Sequence, residues 1–197
     1  MLASLDCVPT PRFKGAVWLD ELEHMRSAYG DVAVDAALAS LPQAQREELA
    51  QILPISWVDV TPVMACKNAV AREVGMSSDD LQRTVVRAGV KRTVRGFWRL
   101  LVRKLWDDAL AKRLPILYSR TFEFGELRVE HLREGEASLR LVGWTDIHSY
   151  DALGLATGLQ TILEVAGRRN VKVSWEPANK GAETLFHVRW VLAKGET

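Results

Sequence analysis

The chain has 197 residues, of which 48% are apolar and 26% charged, and 26 Lys and Arg against 25 Asp and Glu leave a formal charge of +1. This is ordinary globular composition, long enough for one well-buried core, and its near-neutrality excludes a global field drawing the whole chain onto nucleic acid or an anionic membrane. Two cysteines, Cys7 and Cys66, in no Cys-x-x-Cys pair, give neither a disulfide framework nor metal-ligand spacing and suit a reducing compartment. With no secretory signal at the start and no apolar run near the ~20 residues of a membrane span, the sequence reads as a soluble cytoplasmic protein.

Residues 1–14, with Pro9 and Pro11 and little periodicity, read as an arm. "GAVWLDELEHMRSAYG" reads as a helix with Val17, Trp18, Leu22 and Met25 at helical spacing and Gly30 as its stop. "DVAVDAALASLP" gives a second helix capped by Asp31, and "PQAQREELAQILP" a third between Pro42 and Pro54. "ISWVDVTPVMACKNAVAREVG" opens irregularly. Thr61 then caps a helix with Pro62 in its first turn and Met64, Ala65, Ala69 and Val70 as the buried stripe. Ser78 caps the next helix, with Asp79 and Asp80 placed where the helix dipole favours anions. A further helix spans roughly 91–112, with Pro115 beyond its end.

The period then changes from helical to two. "GELRVEHL" and "ASLRLVGW" alternate around the turn "REGE", which predicts a hairpin. Leu127, Val129, Leu139, Leu141, Val171, Val173, Phe186, Val188 and Trp190 face inward in this register, His131 shares their face, and Arg128, Arg140, Lys172 and Arg189 face solvent. "DALGLATGLQTILEVAG" is a helix with Leu155, Leu159, Ile162 and Ala166 as its stripe and Gly167 beyond its end. "VKVSW" and "LFHVRWVL" are two more strands joined by "EPANKG". Gly154 and Gly158 share a helix face, and interior glycines are costly, so the pair implies close approach to the sheet or to a ligand; if to the sheet, Gly158→Leu is expected to overpack by about 1–3 kcal/mol. The whole is α+β: one domain over 1–197, with the arm at 1–14, an all-helical half at 15–116 and a β-β-α-β-β half at 117–194 carrying a four-stranded antiparallel sheet.

The stretch "RGFWRLLVRKLWDDALAKRLPILYSRTFEFG" is the densest in aromatics and cations. Arg83, Arg87, Lys91, Arg95, Arg99 and Arg103 recur every four residues beside the apolar stripe Val86, Val90, Val94, Phe97, Leu101, Leu105 and Ala109. The row reads as the solvated back of a core helix, or as a surface for an acidic partner centred on Arg95, Arg99 and Arg103; Trp98 and Trp106 also suit a membrane surface without insertion. Asp107 and Asp108 interrupt the row, so nucleic acid is not expected. Where this helix meets the sheet, Trp98, Trp106, Tyr118, Arg120, Trp144 and His148 offer aromatic walls and polar tips for a small apolar ligand, against the alternative of a closed core. His24 and His187 read as solvated, and His131 as a satisfied buried histidine. No His/Cys/Asp/Glu set has metal-ligand spacing, and no nucleophile motif, HExxH, P-loop or GxGxxG is present. No catalytic residue, metal or cofactor is expected.

The segments "YGDVAVDAALASLP", "LPISWV", "LYSRTFEFGELRVEHLREGEASLRLVGW", "GLATGLQTILEVAG", "VKVSW" and "FHVRW" resemble a myxobacterial paralogous family of unknown function. More distantly, the β-β-α-β-β half is similar to the 4-vinyl reductase domain, the TRAPP vesicle-tethering subunits and the haem-nitric-oxide-binding (H-NOX) domains. The resemblance implies a helical layer on a four-stranded antiparallel sheet, an interior pocket or a protein-binding surface, and helix-mediated homodimers. H-NOX domains use a helix-borne histidine and a Tyr-x-Ser-x-Arg motif for haem. Here the nearest reading is Tyr118-Ser119-Arg120, and none of the four histidines lies in the helix before the sheet. Zinc-binding relatives use cysteines near the sheet, whereas Cys7 and Cys66 lie in the helical half. The resulting expectation is a non-enzymatic sensory or interaction module binding a small apolar ligand, a protein partner or both. The alternatives are a protein-binding scaffold without a ligand, and a sensor holding haem or another cofactor.

Overall fold

The computed structural model describes residues 11–93, 109, 111–144 and 147–191. The stretch holding Trp98, Trp106, Arg95, Arg99 and Arg103 lies outside the described residues, and with it most of the expected helix over 91–112.

The N-terminal part is not purely helical. Strand β1 (Arg12–Lys14) leads into helix α1 (Gly15–Tyr29), followed by α2 (Asp31–Ala39), α3 (Gln43–Ala50), strand β2 (Trp57–Asp59), α4 (Val60–Glu73) and α5 (Ser78–Thr93). β1 and β2 pair antiparallel, with Phe13 opposite Val58. They tie the expected arm and the expected irregular opening of "ISWVDVTP" into one short sheet, on which the Lys14 ammonium lies 3.7 Å from the centroid of the Trp57 ring. Gly15 is needed where the strand turns into α1. A Cβ there would lie 2.1 Å from the Leu53 carbonyl oxygen, a separation no side chain tolerates. Two caps differ from expectation. Asp59 caps α4 by accepting from the Thr61 N–H at 2.8 Å. Ser77, not Ser78, takes the Asp80 N–H at 3.1 Å while donating to the Asp80 carboxylate at 2.7 Å, a reciprocal arrangement that serves orphan N-terminal donors.

Trp18, Met25, Val34, Ala37, Cys66, Val70, Leu81 and Val85 are fully buried and form the core of this part. On α5 the buried line is Leu81, Gln82 and Val85, whereas Val86 and Val90 of the expected stripe are only partly buried. One residue of rotation thus separates the expected face from the observed one.

Helix α6 (Leu114–Thr121) follows, where an ending at Pro115 was expected. Pro115 sits in the first turn, where its missing N–H would have had no partner in any case. Then come β3 (Glu126–Arg133), β4 (Glu136–Val142), α7 (Ser149–Val165), β5 (Arg169–Ala178), a 3₁₀ turn (Asn179–Gly181) and β6 (Glu183–Val191). The sheet is antiparallel in the order β3-β4-β6-β5. The architecture is therefore α+β, with seven helices among the described residues and the expected β-β-α-β-β order. Leu127, Leu139, Leu141, Val171, Phe186, Val188 and Trp190 are buried on the inner face, and Val129 and Val173 pack partly against them. Arg128, Lys172 and Arg189 are exposed on the other face. Arg140 shares that face, held by Glu183 at 2.6 Å and by Glu130.

His131 departs from the expected register. A bulge between Val129 and His131 brings His131 opposite Ser138, which itself lies opposite His187. The extra residue flips every later side chain of the strand, so His131 joins the outer face and Leu132 packs on the core. No helix among the described residues is long and apolar enough to cross a membrane.

Candidate functional site

The least ordinary chemistry lies where α1, α4, α5 and α7 meet. On α1, Trp18, Glu21 and Met25 recur at i, i+3 and i+7, so a carboxylate falls within an apolar face. Glu21 and Lys67 of α4 are buried to 4% and 5% side-chain exposure, and the Lys67 ammonium meets Glu21 Oε2 at 2.5 Å. Lys67 also donates to Gln82 Oε1 of α5 at 3.0 Å. The Gln82 amide nitrogen in turn lies over Gly154 of α7, where a Cβ would stand 2.5 Å from it. One polar chain thus links α1, α4 and α5 and packs its amide end on α7, and the expected close approach at Gly154 is to a helix rather than to the sheet. Gly158 faces the same helix. A Cβ there would meet only Val86 Cγ1 at 3.9 Å, so the overpacking expected for this glycine has no structural basis at Cβ.

Around this chain sit groups with shifted titration. Burial pushes the Asp151 carboxyl up from 3.8 to about 6, against the opposing charges of His148 and Lys67. Burial, then the charges of Glu21, Asp151 and Asp79, raises the Tyr150 phenol well above its usual range. Tyr150 Oη and Trp18 Nε1 have no protein acceptor within hydrogen-bond distance among the described residues. Burial lifts the Cys66 thiol to about 11, which leaves it protonated and inert at neutral pH. Asp151 can therefore exchange a proton near neutrality, but the described residues hold no group of three potential metal ligands.

The residues expected to line a pocket are divided. Tyr118 stacks on Phe122 with centroids 4.9 Å apart, and Phe122 approaches Trp144 at 6.0 Å. Tyr118 Oη donates to the Phe124 carbonyl at 2.6 Å. Tyr118 and Trp144 are thus brought together by Phe122 into a closed aromatic corner. Arg120 is exposed on α6, and exposed His148 caps α7 by accepting the Tyr150 N–H on Nδ1 at 3.3 Å. An apolar cavity of about 20 Å³ lies elsewhere, between the sheet and α6 and α7, among Ala111, Leu114, Leu139, Leu159, Leu163 and Trp190. Sequence reasoning missed Glu21, Lys67 and Gln82 because charged and amide residues on amphipathic helices read as solvated. The one available signal was Glu21, which sits at helical spacing between Trp18 and Met25.

No family model matches the chain, and neither does any curated protein. Solved structures do resemble it. An Fe(II) unliganded H-NOX protein from K. algicida superposes with a TM-score of 0.67 at 13% identity, covering 93% of this chain and 100% of that one. A point mutant of the T. tengcongensis H-NOX gives 0.65 at 14% identity, covering 90% and 97%. An oxygen-binding H-NOX domain related to soluble guanylate cyclases gives 0.63 at 12%, covering 93% and 100%. At these identities the likeness establishes a shared fold.

Proposed function

We propose that the chain is a non-enzymatic sensory or interaction module that works without haem and whose output is contact with another protein. The observation that carries this reading is an H-NOX-like fold over nearly the whole chain in which no histidine lines the cavity between α6, α7 and the sheet. The H-NOX neighbours include one described in terms of heme distortion, so haem is the group the fold implies. The residues here do not fit it. His131 and His187 lie on the outer face of the sheet, His148 is exposed at the start of α7, and His24 lies on α1, away from the cavity; contrary to expectation, His24 is not solvated nor His131 satisfied, since Nε2 of each is buried without a hydrogen-bond partner among the described residues. Cys66 is buried with its thiol held protonated, and residues 94–110 contain no histidine, cysteine, methionine or tyrosine. The cavity beneath the sheet, about 20 Å³, suits one water-sized occupant, whereas cofactor pockets run to roughly 300–1,000 Å³.

The same cavity favours a second reading, in which a very small apolar ligand enters between α6, α7 and the sheet. Native mass spectrometry under gentle conditions separates the readings. The mass of the polypeptide alone, as monomer or homodimer, or joined to a protein partner, is the expected result. A retained apolar small molecule would favour the second reading, and a retained porphyrin mass would refute the proposal.

A further inference from the structure

We propose that the outer face of the sheet, at the end nearest the Gly135 turn, docks an acidic polypeptide segment of a protein partner, with Lys172 and Arg189 as its anchors. This rests on reading the chain as an interaction module and names the surface that such a module uses.

Cross-strand pairing sorts the outer face into rows. At one end, Arg128 pairs with Glu126 at 2.6 Å, and Arg140 is held by Glu183 at 2.6 Å and by Glu130. The fold neutralises its own cations there. At the other end the row Arg133–Glu136–Arg189–Lys172 crosses all four strands, setting three cations against one carboxylate. Glu136 lies 3.8 Å from Arg133. Arg189 and Lys172 stand directly opposite each other, exposed, with no ion pair among the described residues. Like charges placed opposite one another on a sheet are destabilising. Arg169, opposite Val191, extends the same basic end. An external carboxylate between Arg189 and Lys172 would remove that repulsion.

The neighbouring row supplies a seat for the rest of the segment. His131, Ser138, His187 and Ser174 lie side by side, and a groove of about 230 Å³ runs along Glu136, Ser138, His187 and Arg189. His187 Nε2 already lies 3.2 Å from Glu176 Oε1, so the seat offers the Ser138 and Ser174 hydroxyls beside the two cations, groups that suit carboxylates and polypeptide amides. Glu136 within the groove opposes a dense polyanion, and the chain's net charge of +1 gives no field for one. A segment with spaced carboxylates fits better than a phosphate backbone or a lipid surface.

Fluorescence anisotropy with the full chain and a labelled peptide of alternating Glu and Ser tests this. The peptide is expected to bind with affinity that falls as salt rises, and the Gln-Ser analogue at least about tenfold more weakly. Lys172→Glu with Arg189→Glu should weaken the Glu-Ser peptide at least about tenfold and capture a Lys-Ser peptide instead, while Arg128→Gln at the neutralised end leaves binding unchanged. Both anchors are exposed, and unchanged far-UV circular dichroism together with the gained Lys-Ser binding separates a docking effect from unfolding. Equal binding of the Glu-Ser and Gln-Ser peptides overturns the proposal. So does undiminished binding by the double variant, or tighter binding of phosphatidylserine vesicles or a single-stranded oligonucleotide than of the peptide. Those failures leave the interaction-module reading standing, because a partner could still use another face. A porphyrin in the native mass spectrum removes that reading without touching the peptide result.

Discussion

Gly154→Ala is a small change with a calculable consequence. The new Cβ would stand 2.5 Å from Gln82 Nε2, roughly 0.9 Å inside the 3.4 Å at which ordinary contact begins. The Gln82 amide is the far end of a flexible side chain, and turning it aside disturbs the 3.0 Å bond that its Oε1 accepts from the buried Lys67 ammonium. A hydrogen bond to a charged group contributes about 1.5–3 kcal/mol. Alanine in place of glycine inside a helix returns about 0.5–1 kcal/mol. The net expectation, if that bond is lost, is destabilisation by about 0.5–2.5 kcal/mol. Gly158→Ala, one helical turn away, meets only Val86 at 3.9 Å, so only the propensity gain remains and it should stabilise by up to about 1 kcal/mol. Urea denaturation followed by far-UV circular dichroism measures both. Placing Gln82→Ala behind each variant should abolish the difference between them. Shifts of the same sign and size for the two glycines would refute the packing argument.

Breaking the Glu21–Lys67 pair from one side, as in Lys67→Met, should cost about 3–5 kcal/mol because it strands a buried charge, whereas Lys67→Met with Glu21→Leu should recover most of that loss, read from the same urea midpoints. Asp151 has its native carboxyl raised, so between about pH 4 and 6 the folded state binds more protons than the unfolded state. Stability should therefore fall as pH rises through that window and level off above it, by up to about 2–3 kcal/mol. Asp151→Asn should flatten this slope, and an unchanged slope in urea titrations at pH 5 and pH 8 would show that another group causes it. Tyr118→Phe removes the 2.6 Å bond to the Phe124 carbonyl while keeping the ring stack, and should lower stability by about 1 kcal/mol, seen as a lower thermal midpoint.

The sheet was legible because its two faces differ so sharply. Leu139 and Leu141 alternate with Ser138 and Arg140, and period two admits one register. The bulge was not legible, since "VEHLR" alternates plausibly with or without an extra residue and only pairing to Ser138 reveals the slip. Strands of three residues such as Arg12–Lys14 and Trp57–Asp59 are too short to carry a period at all. Pro115 was ambiguous because proline serves a first turn as well as it ends a helix. The polar junction depended on long-range contacts. Nothing local to Gly154 points to Gln82, and a lysine in α4 reads as surface until Glu21 is found beside it.

The reading of an H-NOX-like fold that does without haem is met most directly by an absorption spectrum of the full chain, produced in cells supplied with haem precursor and then titrated with hemin. With no histidine lining the small cavity that the described residues form beneath the sheet, the proposed haem-free module should carry no Soret band as purified, and added hemin should give only the spectrum of weak, unsaturable association. A sharp Soret band saturating at one haem per chain would contradict the account.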